Sequence, residues 1–280
     1  MRYLKFSYKG QKGIGLLEDN CVYPLMNNDS WIKSMIVFLE ENYPVKRGES
    51  ISLDEVKILS PIEYPRRNII CLGKNYREHA LEMKGKITDA VVVPDYPIYF
   101  SKACNKTIGY GDVITGHKDV SEMVDYEVEL AIIIGKEGIN IAKDKVKDHI
   151  FGYTIANDIS ARDLQKDHFQ WLKGKSLDGF CPLGPVVVDK SDVMYPPSLD
   201  IKCFVNDELR QSAKTDDLIF DVDTIVSDLS KGMTLLPGDI ILTGTPSGVG
   251  MGFKPPKYLS SGDVIKCEIE KIGILINSLE

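Results

Sequence analysis

The chain has 280 residues, 43% hydrophobic and 27% charged, which fits a soluble globular protein of one large domain, or a large one plus a small one. A formal net charge of −7 excludes an extended cationic footprint for nucleic acid or an anionic membrane surface, while a small anionic substrate remains compatible through local charge or a bound cation. Six cysteines without a Cys-x-x-Cys pair argue against a structural zinc or disulfide framework and suit reduced residues in a cytoplasmic protein. The N-terminal "MRYLKFSYKG" has no apolar signal region, and no run reaches the roughly 20 apolar residues of a membrane span.

In chain order, the first sixty residues alternate short strand-like runs with turns: "RYLKFSY", "KGQKG", "IGLLE", "DN" and "CVYPL", followed by a helical "SMIVFLEENY". Proline and charge in "SPIEYPRRN" disfavour regular structure, because proline lacks an N–H donor and restricts the residue before it. The expected boundary is at Tyr64: a small β-rich N-terminal domain over 1–64 and a larger unit over 65–280.

"GKNYREHALEMKG" predicts a helix with Asn75 as N-cap, Glu78 closing a capping box and Gly85 as the stop. His79 and Glu82, three apart, share a face, so the carboxylate can orient the imidazole as a general base; a surface salt bridge is the plainer alternative. The following "KGKITDAVVVPDYP" mixes flexible and extended residues and reads as a mobile lid or an ordinary exposed loop.

"DYEVELA" raises the sharpest question. In one extended strand Asp125, Glu127 and Glu129 point the same way, and the strand continues into "AIII", which is expected to be buried on both sides. Such acids form either a solvated outer face or a cation site. A further acid, Asp158, ends the apolar "IFGYTIAND" just before the helical start "ARDLQ", where it can cap that helix or join the other acids. Glu127, Glu129 and Asp158 together make a candidate all-oxygen site for Mg²⁺ or Mn²⁺, with Ca²⁺ also compatible.

Further strands are predicted in "NIICLG", "PIYFSK", "CPLGPVVV", "SLDIKCFVN", "DIILTG" and "VIKCEIE", with short helices around 76–84, 161–171 and 221–231. Few helices separate consecutive strands, which predicts an α+β, β-dominated fold with a rolled or barrel-like core rather than a doubly wound sheet. Gly111-Asp, Gly238-Asp and Gly262-Asp each turn into a strand at unequal spacing, which excludes a solenoid. "LTGTPSGVGMG" fits neither a P-loop nor a dinucleotide fingerprint; its amides can hold a substrate carboxylate or simply make a tight turn. His117, His149 and His168 lack metal-like spacing and read as surface groups.

"NYREHALEM", "DYEVELA", "NDISARDLQ", "KGKSLDGFCPLGP" and "LLPGDIILTGTPSGVG", in this order, resemble the fumarylacetoacetate hydrolase family from about Arg66 to the C-terminus. The resemblance implies a mixed β-roll/β-sandwich fold, a homodimer, and Mg²⁺ or Mn²⁺ at Glu127, Glu129 and Asp158. It places a base dyad at His79 and Glu82, an active-site lysine at Lys175, and contacts to substrate or coordinated water at Arg162, Gln165 and Thr245. The implied activity is hydrolytic C–C cleavage of a 2,4-dioxo acid of the acylpyruvate or fumarylacetoacetate class. Alternatives are isomerisation or decarboxylation of 2-hydroxy-2,4-dienedioates, oxaloacetate decarboxylation, and a non-enzymatic, metal-dependent binder of dicarboxylates.

Overall fold

The computed structural model describes residues 1–41, 45–86 and 93–280. The main sheet runs, from one edge to the other, through Ser30–Trp31, Cys21–Asn27, Gln11–Glu18, Arg2–Tyr8, Leu183–Asp189, Ile150–Asn157, Val128–Ile134, Ile240–Leu242, Ile69–Gly73 and Ile98–Lys102. All but one of the neighbouring pairs on this path are antiparallel; Ile240–Leu242 runs parallel to Ile69–Gly73. A second sheet orders Val113–Ile114, Gly273–Leu279, Val264–Ile269, Asp200–Val205 and Glu208–Lys214. The α+β, β-dominated expectation therefore holds, and the eight strands read from sequence in the larger unit all form. The strands Glu208–Lys214 and Gly273–Leu279 were not anticipated; the first is largely polar and the second carries no proline or charge to mark its edges.

Val128–Ile134 is buried along its whole length. Val128, Leu130, Ile132 and Ile134 enter the cluster shared with the second sheet, while Ala131 and Ile133 enter the cluster with Met35 and Ile240. Period two thus divides one strand between two cores, as "AIII" implies. "DYEVELA" itself is not one strand. Val124–Asp125 pairs with Ser160–Ala161 in a separate ribbon, and the chain resumes as a strand only at Val128.

The three Gly-Asp turns share a local cause. Gly111, Gly238 and Gly262 all take positive φ (75°, 85° and 88°), a region that disfavours a Cβ. The next residue folds back each time: Asp112, Asp239 and Asp263 accept from the N–H of Gly109, Leu236 and Ser260, three residues earlier. Each Asp so fixes the turn that launches the following strand.

Arg2–Tyr8 hydrogen-bonds Leu183–Asp189, so the front strands extend the sheet of the larger unit. Near the expected boundary, Glu63 is buried between Lys5 Nζ at 2.6 Å and Lys12 Nζ at 3.0 Å. Burial alone would raise the Glu63 carboxyl, but the two lysines hold it below its usual value. A depressed folded-state pKa contributes stability that is present above the unfolded value, about 4.5, and is lost as pH falls through the folded value. Glu63→Gln is therefore expected to lower stability at pH 7 and to leave it nearly unchanged in acid; denaturant titrations at both pH values check this.

Candidate active site

The helix that carries the dyad, Arg77–Glu82, is shorter than expected and is not closed by a capping box. Tyr76 is its N-cap and makes no side-chain cap. Asn75 is fully buried and serves as a staple: its Nδ2 donates to Thr243 O at 2.7 Å and its Oδ1 accepts from Phe220 N at 2.8 Å. Glu78 accepts from the Ser247 hydroxyl at 3.3 Å. His79 is buried, with Nδ1 3.2 Å from Glu82 Oε2, so this pair is no exposed salt bridge. An ionised carboxylate only accepts, so Nδ1 carries the proton and Nε2 of the neutral ring keeps its lone pair. Of the expected lid, residues 87–92 lie outside the described ones; just before them, Lys86 Nζ donates to Met251 O at 2.7 Å.

The loop after Ile240–Leu242 explains how the acids are held. Its amides do bind carboxylates, but those of the protein. Gly244 N–H donates to Glu129 at 2.6 Å, Gly248 N–H to Glu82 at 3.0 Å, and Gly250 and Met251 N–H to Asp125 at 2.6 and 3.0 Å. Gly244 needs its missing side chain, because φ is +100° and a Cβ would stand 2.8 Å from Asn75 Cβ.

Glu127, Glu129 and Asp158 are all buried, and each offers a carboxylate oxygen within 4.8 Å of the others. Glu127 immediately precedes the Val128–Ile134 strand, which contains Glu129, and Asp158 immediately follows Ile150–Asn157. These two strands are hydrogen-bonded neighbours, which brings the distant acid alongside. Lys175, at the end of the short helix Leu172–Lys175, places Nζ 2.6 Å from both Glu127 Oε2 and Asp158 Oδ2. Arg162 reaches Glu127 Oε1 at 2.7 Å and donates through Nε to Asp125 at 2.8 Å and through Nη1 to Gln165 Oε1 at 2.9 Å. Burial would raise the Glu127 carboxyl, but Lys175 and Arg162 hold it down to about 2. Burial likewise opposes the charge on Lys175, yet Asp158 and Glu127 keep it firmly protonated.

Glu129 differs from the other two acids. Burial, with Asp158 and Glu127 close by, pushes its carboxyl well above the usual range. With all four ionised, the buried acids Asp125, Glu127, Glu129 and Asp158 exceed the three buried cations Lys102, Arg162 and Lys175 by one negative charge, the charge that Glu129 resists carrying. An all-oxygen set with a surplus charge fits a hard divalent ion, which would turn the excess into one positive charge facing an anionic ligand.

One pocket is lined by His79, Glu127, Glu129, Arg162, Gln165, Lys175 and Thr245, with Leu72, Met83, Phe100 and Trp171 forming its apolar wall. All but two of the residues singled out from sequence therefore meet there. Glu82 stands behind His79, and Asp158 behind Lys175. Asp125 is no ligand candidate, because its oxygens are taken by Arg162 and the loop amides. Thr245 donates its hydroxyl proton to Val128 O and accepts from Gln211, so toward a ligand it can only accept further. The Gln165 oxygen is taken by Arg162, which leaves its NH₂ group for a ligand.

Lys102 escaped the sequence reading. It is fully buried at the end of Ile98–Lys102, with Nζ 2.7 Å from Asp158 Oδ1, 3.0 Å from Ile159 O and in contact with Lys175 O. Asn157 was also missed; its Oδ1 accepts the Glu127 N–H at 2.9 Å. Trp171 and Phe100 meet edge to face at 5.1 Å. His117 Nε2 donates to Asp178 O and His149 Nδ1 to Lys136 O, and His168 is exposed.

The Fumarylacetoacetate (FAA) hydrolase C-terminal family description matches residues 68–280. The oxaloacetate tautomerase YisK of Bacillus subtilis (strain 168) is 53% identical over 228 residues, 81% of this chain and 74% of that protein. The mitochondrial oxaloacetate tautomerase fahd2 of Xenopus laevis is 44% identical over 229 residues, 81% of this chain and 69% of that protein. Among solved structures, the fumarylacetoacetate hydrolase of psychrophilic Exiguobacterium antarcticum superposes with a TM-score of 0.87 at 41% identity, covering 100% of this chain and 99% of that one. A 2-hydroxyhepta-2,4-diene-1,7-dioate isomerase from Mycobacterium marinum gives 0.80 at 31% identity, covering 100% and 98%. The match over residues 68–280, the identity to these relatives and the shared β-dominated fold show that the chain belongs to the fumarylacetoacetate hydrolase family.

Proposed function

We propose that the protein is a Mg²⁺- or Mn²⁺-dependent enzyme acting on small 2-oxo dicarboxylic acids, and that it interconverts the enol and keto forms of oxaloacetate. The observation that carries this reading is a single pocket lined by Glu127 and Glu129 of the carboxylate triad, a buried lysine that holds Asp158 behind it, and a carboxylate-oriented histidine. The tautomerase relatives at 53% and 44% identity support the choice of reaction. Glu127, Glu129 and Asp158 would hold the ion, which when bound supplies a Lewis acid favouring enolisation of a 2-oxo acid.

The rest of the chemistry belongs to the chain. His79 Nε2 moves the proton between carbon and oxygen, and Glu82 stabilises the imidazolium formed in between. Lys175 pairs with Asp158, holds the Glu127 carboxyl down and offers positive charge to a developing oxyanion. Gln165 and Thr245 contribute one donor and one acceptor that orient the substrate. Arg162 acts mainly by fixing Glu127 and Gln165.

A second reading is hydrolytic cleavage of a 2,4-dioxo acid. The same dyad can deprotonate a water, and the wall of Leu72, Met83, Phe100 and Trp171 leaves apolar space for a larger acyl group. Isomerisation or decarboxylation of 2-hydroxy-2,4-dienedioates uses the same enol chemistry. A cytoplasmic homodimer, and a division at Tyr64 between a small front domain (1–64) and the catalytic unit (65–280), complete the proposal; the family match beginning at residue 68 supports the division.

The test is an assay of enol oxaloacetate, acylpyruvates and a 2-hydroxy-2,4-dienedioate with Mg²⁺, Mn²⁺ or chelator. His79→Ala is expected to lower turnover of the preferred substrate about 10²–10⁴-fold with Mn²⁺ binding retained. Unchanged turnover would remove His79 from its role, and ligand-induced stabilisation with no turnover of any substrate would make the protein a binder.

A further inference from the structure

The pocket has a buried interior and a rim. Among the described residues that line it, only Lys74, Phe100 and Trp171 are half-buried, and every other one is buried. A ligand whose reacting end lies against Glu127 and Glu129 therefore extends toward that rim. The chain around Trp171 faces solvent: residues 166–170, Leu172 and Lys173 are exposed, and Phe169 is 81% accessible. Trp171 is the side chain of this segment that turns back to the pocket.

Its indole has a fitted seat. A Cβ on Gly73 would collide with Trp171 Cζ3 and stand 2.6 Å from Cη2, so the ring lies on backbone that only glycine leaves bare. Phe100 supports it edge to face, and Lys175 Nζ lies 5.3 Å from the centroid of the Phe100 ring. The rim is thus continuous with the buried lysine. Trp171 also accepts the Lys175 N–H at 3.0 Å, but through its backbone carbonyl, which a change of side chain retains.

On the basis of the 2-oxo dicarboxylic acid class proposed as substrate, we propose that Trp171 is a specificity-determining residue that sets the length of acid the pocket accepts. A short 2-oxo diacid ends before the indole. The tail of a longer one meets the ring and must lift it from Gly73, giving up its contacts there and with Phe100.

The test compares calorimetric binding of 2-oxoglutarate and of 2-oxopimelate, two methylenes longer, to Mn²⁺-loaded protein. Wild type is expected to prefer the shorter acid at least about 10-fold, and Trp171→Ala to move that ratio about 10-fold toward the longer acid, the scale of a methylene in an apolar pocket. Trp171→Phe should fall between them, and Trp171→Leu reads the same ratio if the Ala variant does not fold. An unchanged ratio, equal weakening of both acids, as a merely structural role would give, or no binding of either would overturn the assignment. Trp31 is the only other tryptophan, so in a Trp31→Phe background the emission reports on Trp171 itself. Saturating 2-oxopimelate should shift that emission and 2-oxoglutarate should leave it nearly unchanged; an identical response to both would overturn the contact. Neither readout needs turnover. A shifted ratio without oxaloacetate turnover keeps the role of Trp171 and removes the proposed reaction, while turnover with an unshifted ratio does the reverse.

Discussion

Lys175→Met is expected to be the most damaging single change. The ammonium is nearly inaccessible and lies 2.6 Å from two buried carboxylates. Met keeps much of the volume but leaves Glu127 with Arg162 alone and Asp158 with Lys102 alone. Breaking a buried ion pair from one side costs about 3–5 kcal/mol. The loss should depend on pH with a definite sign. Glu127 is held down to about 2, so its favourable contribution is present above the unfolded value of 4.5 and fades as pH falls toward 2. The variant's deficit should accordingly be largest near neutrality and shrink in acid, which denaturant titrations across pH will show. A divalent ion should stabilise the variant more than the wild type, since it would supply the missing charge. Turnover should fall about 10³-fold even with Mn²⁺ saturating, the effect of removing a preorganised donor from a developing oxyanion.

Glu129→Gln is expected to separate stability from function. Of the three acids, Glu129 is the one whose charge the buried cations do not offset: burial and the neighbouring Asp158 and Glu127 push its carboxyl well up. A neutral isostere removes that repulsion, and the Gln oxygen can still accept from Gly244 N–H. In the presence of chelator the variant should be within about 1 kcal/mol of the wild type or more stable, since a replaced hydrogen bond of this kind is worth about that much. The stabilisation that Mg²⁺ or Mn²⁺ confers on the wild type should vanish. Losing several kcal/mol of charge stabilisation implies a turnover at least about 10³-fold lower. Thermal unfolding with and without metal, followed by rate measurements on the same samples, provides the check. A large loss of stability in chelator would mean that Glu129 serves the fold rather than an ion.

The opposite signs predicted for Lys175 and Glu129 come from a charge arrangement only partly legible in the sequence. The acids were legible because period-two spacing sets Glu127, just before Val128–Ile134, and Glu129, within it, against a buried apolar run, and because Asp158 directly follows the next strand of the same kind. The dyad was legible from helical spacing, although the capping box was not real. Asn75 found partners about 145 and 168 residues away in place of the local amide that the motif suggests. Continuity across "DYEVELA" also failed, because Asp125 is drawn into a ribbon with Ser160 and fixed by Arg162 and two loop amides. Lys102 had no local signal. A lysine closing an ordinary strand reads as solvated, and its partners Ile159 O and Lys175 O lie 57 and 73 residues away. The glycine loop was readable only as a holder of a substrate carboxylate or a tight turn; the carboxylates it binds are internal, a fact that depends on how the sheet returns it to the site.

The proposed enol chemistry of His79 and Lys175 requires an ion held by Glu127, Glu129 and Asp158. Its most direct test is the initial rate of enol-to-keto conversion of oxaloacetate, followed by loss of enol absorbance, for wild type and Glu129→Gln. Each is measured after exhaustive chelation and after adding back Mg²⁺ or Mn²⁺. The expected result is a wild-type rate that collapses on chelation and returns with the metal, and a variant rate that stays low throughout. A wild-type rate indifferent to chelation, or a Glu129→Gln rate equal to it, would contradict the account.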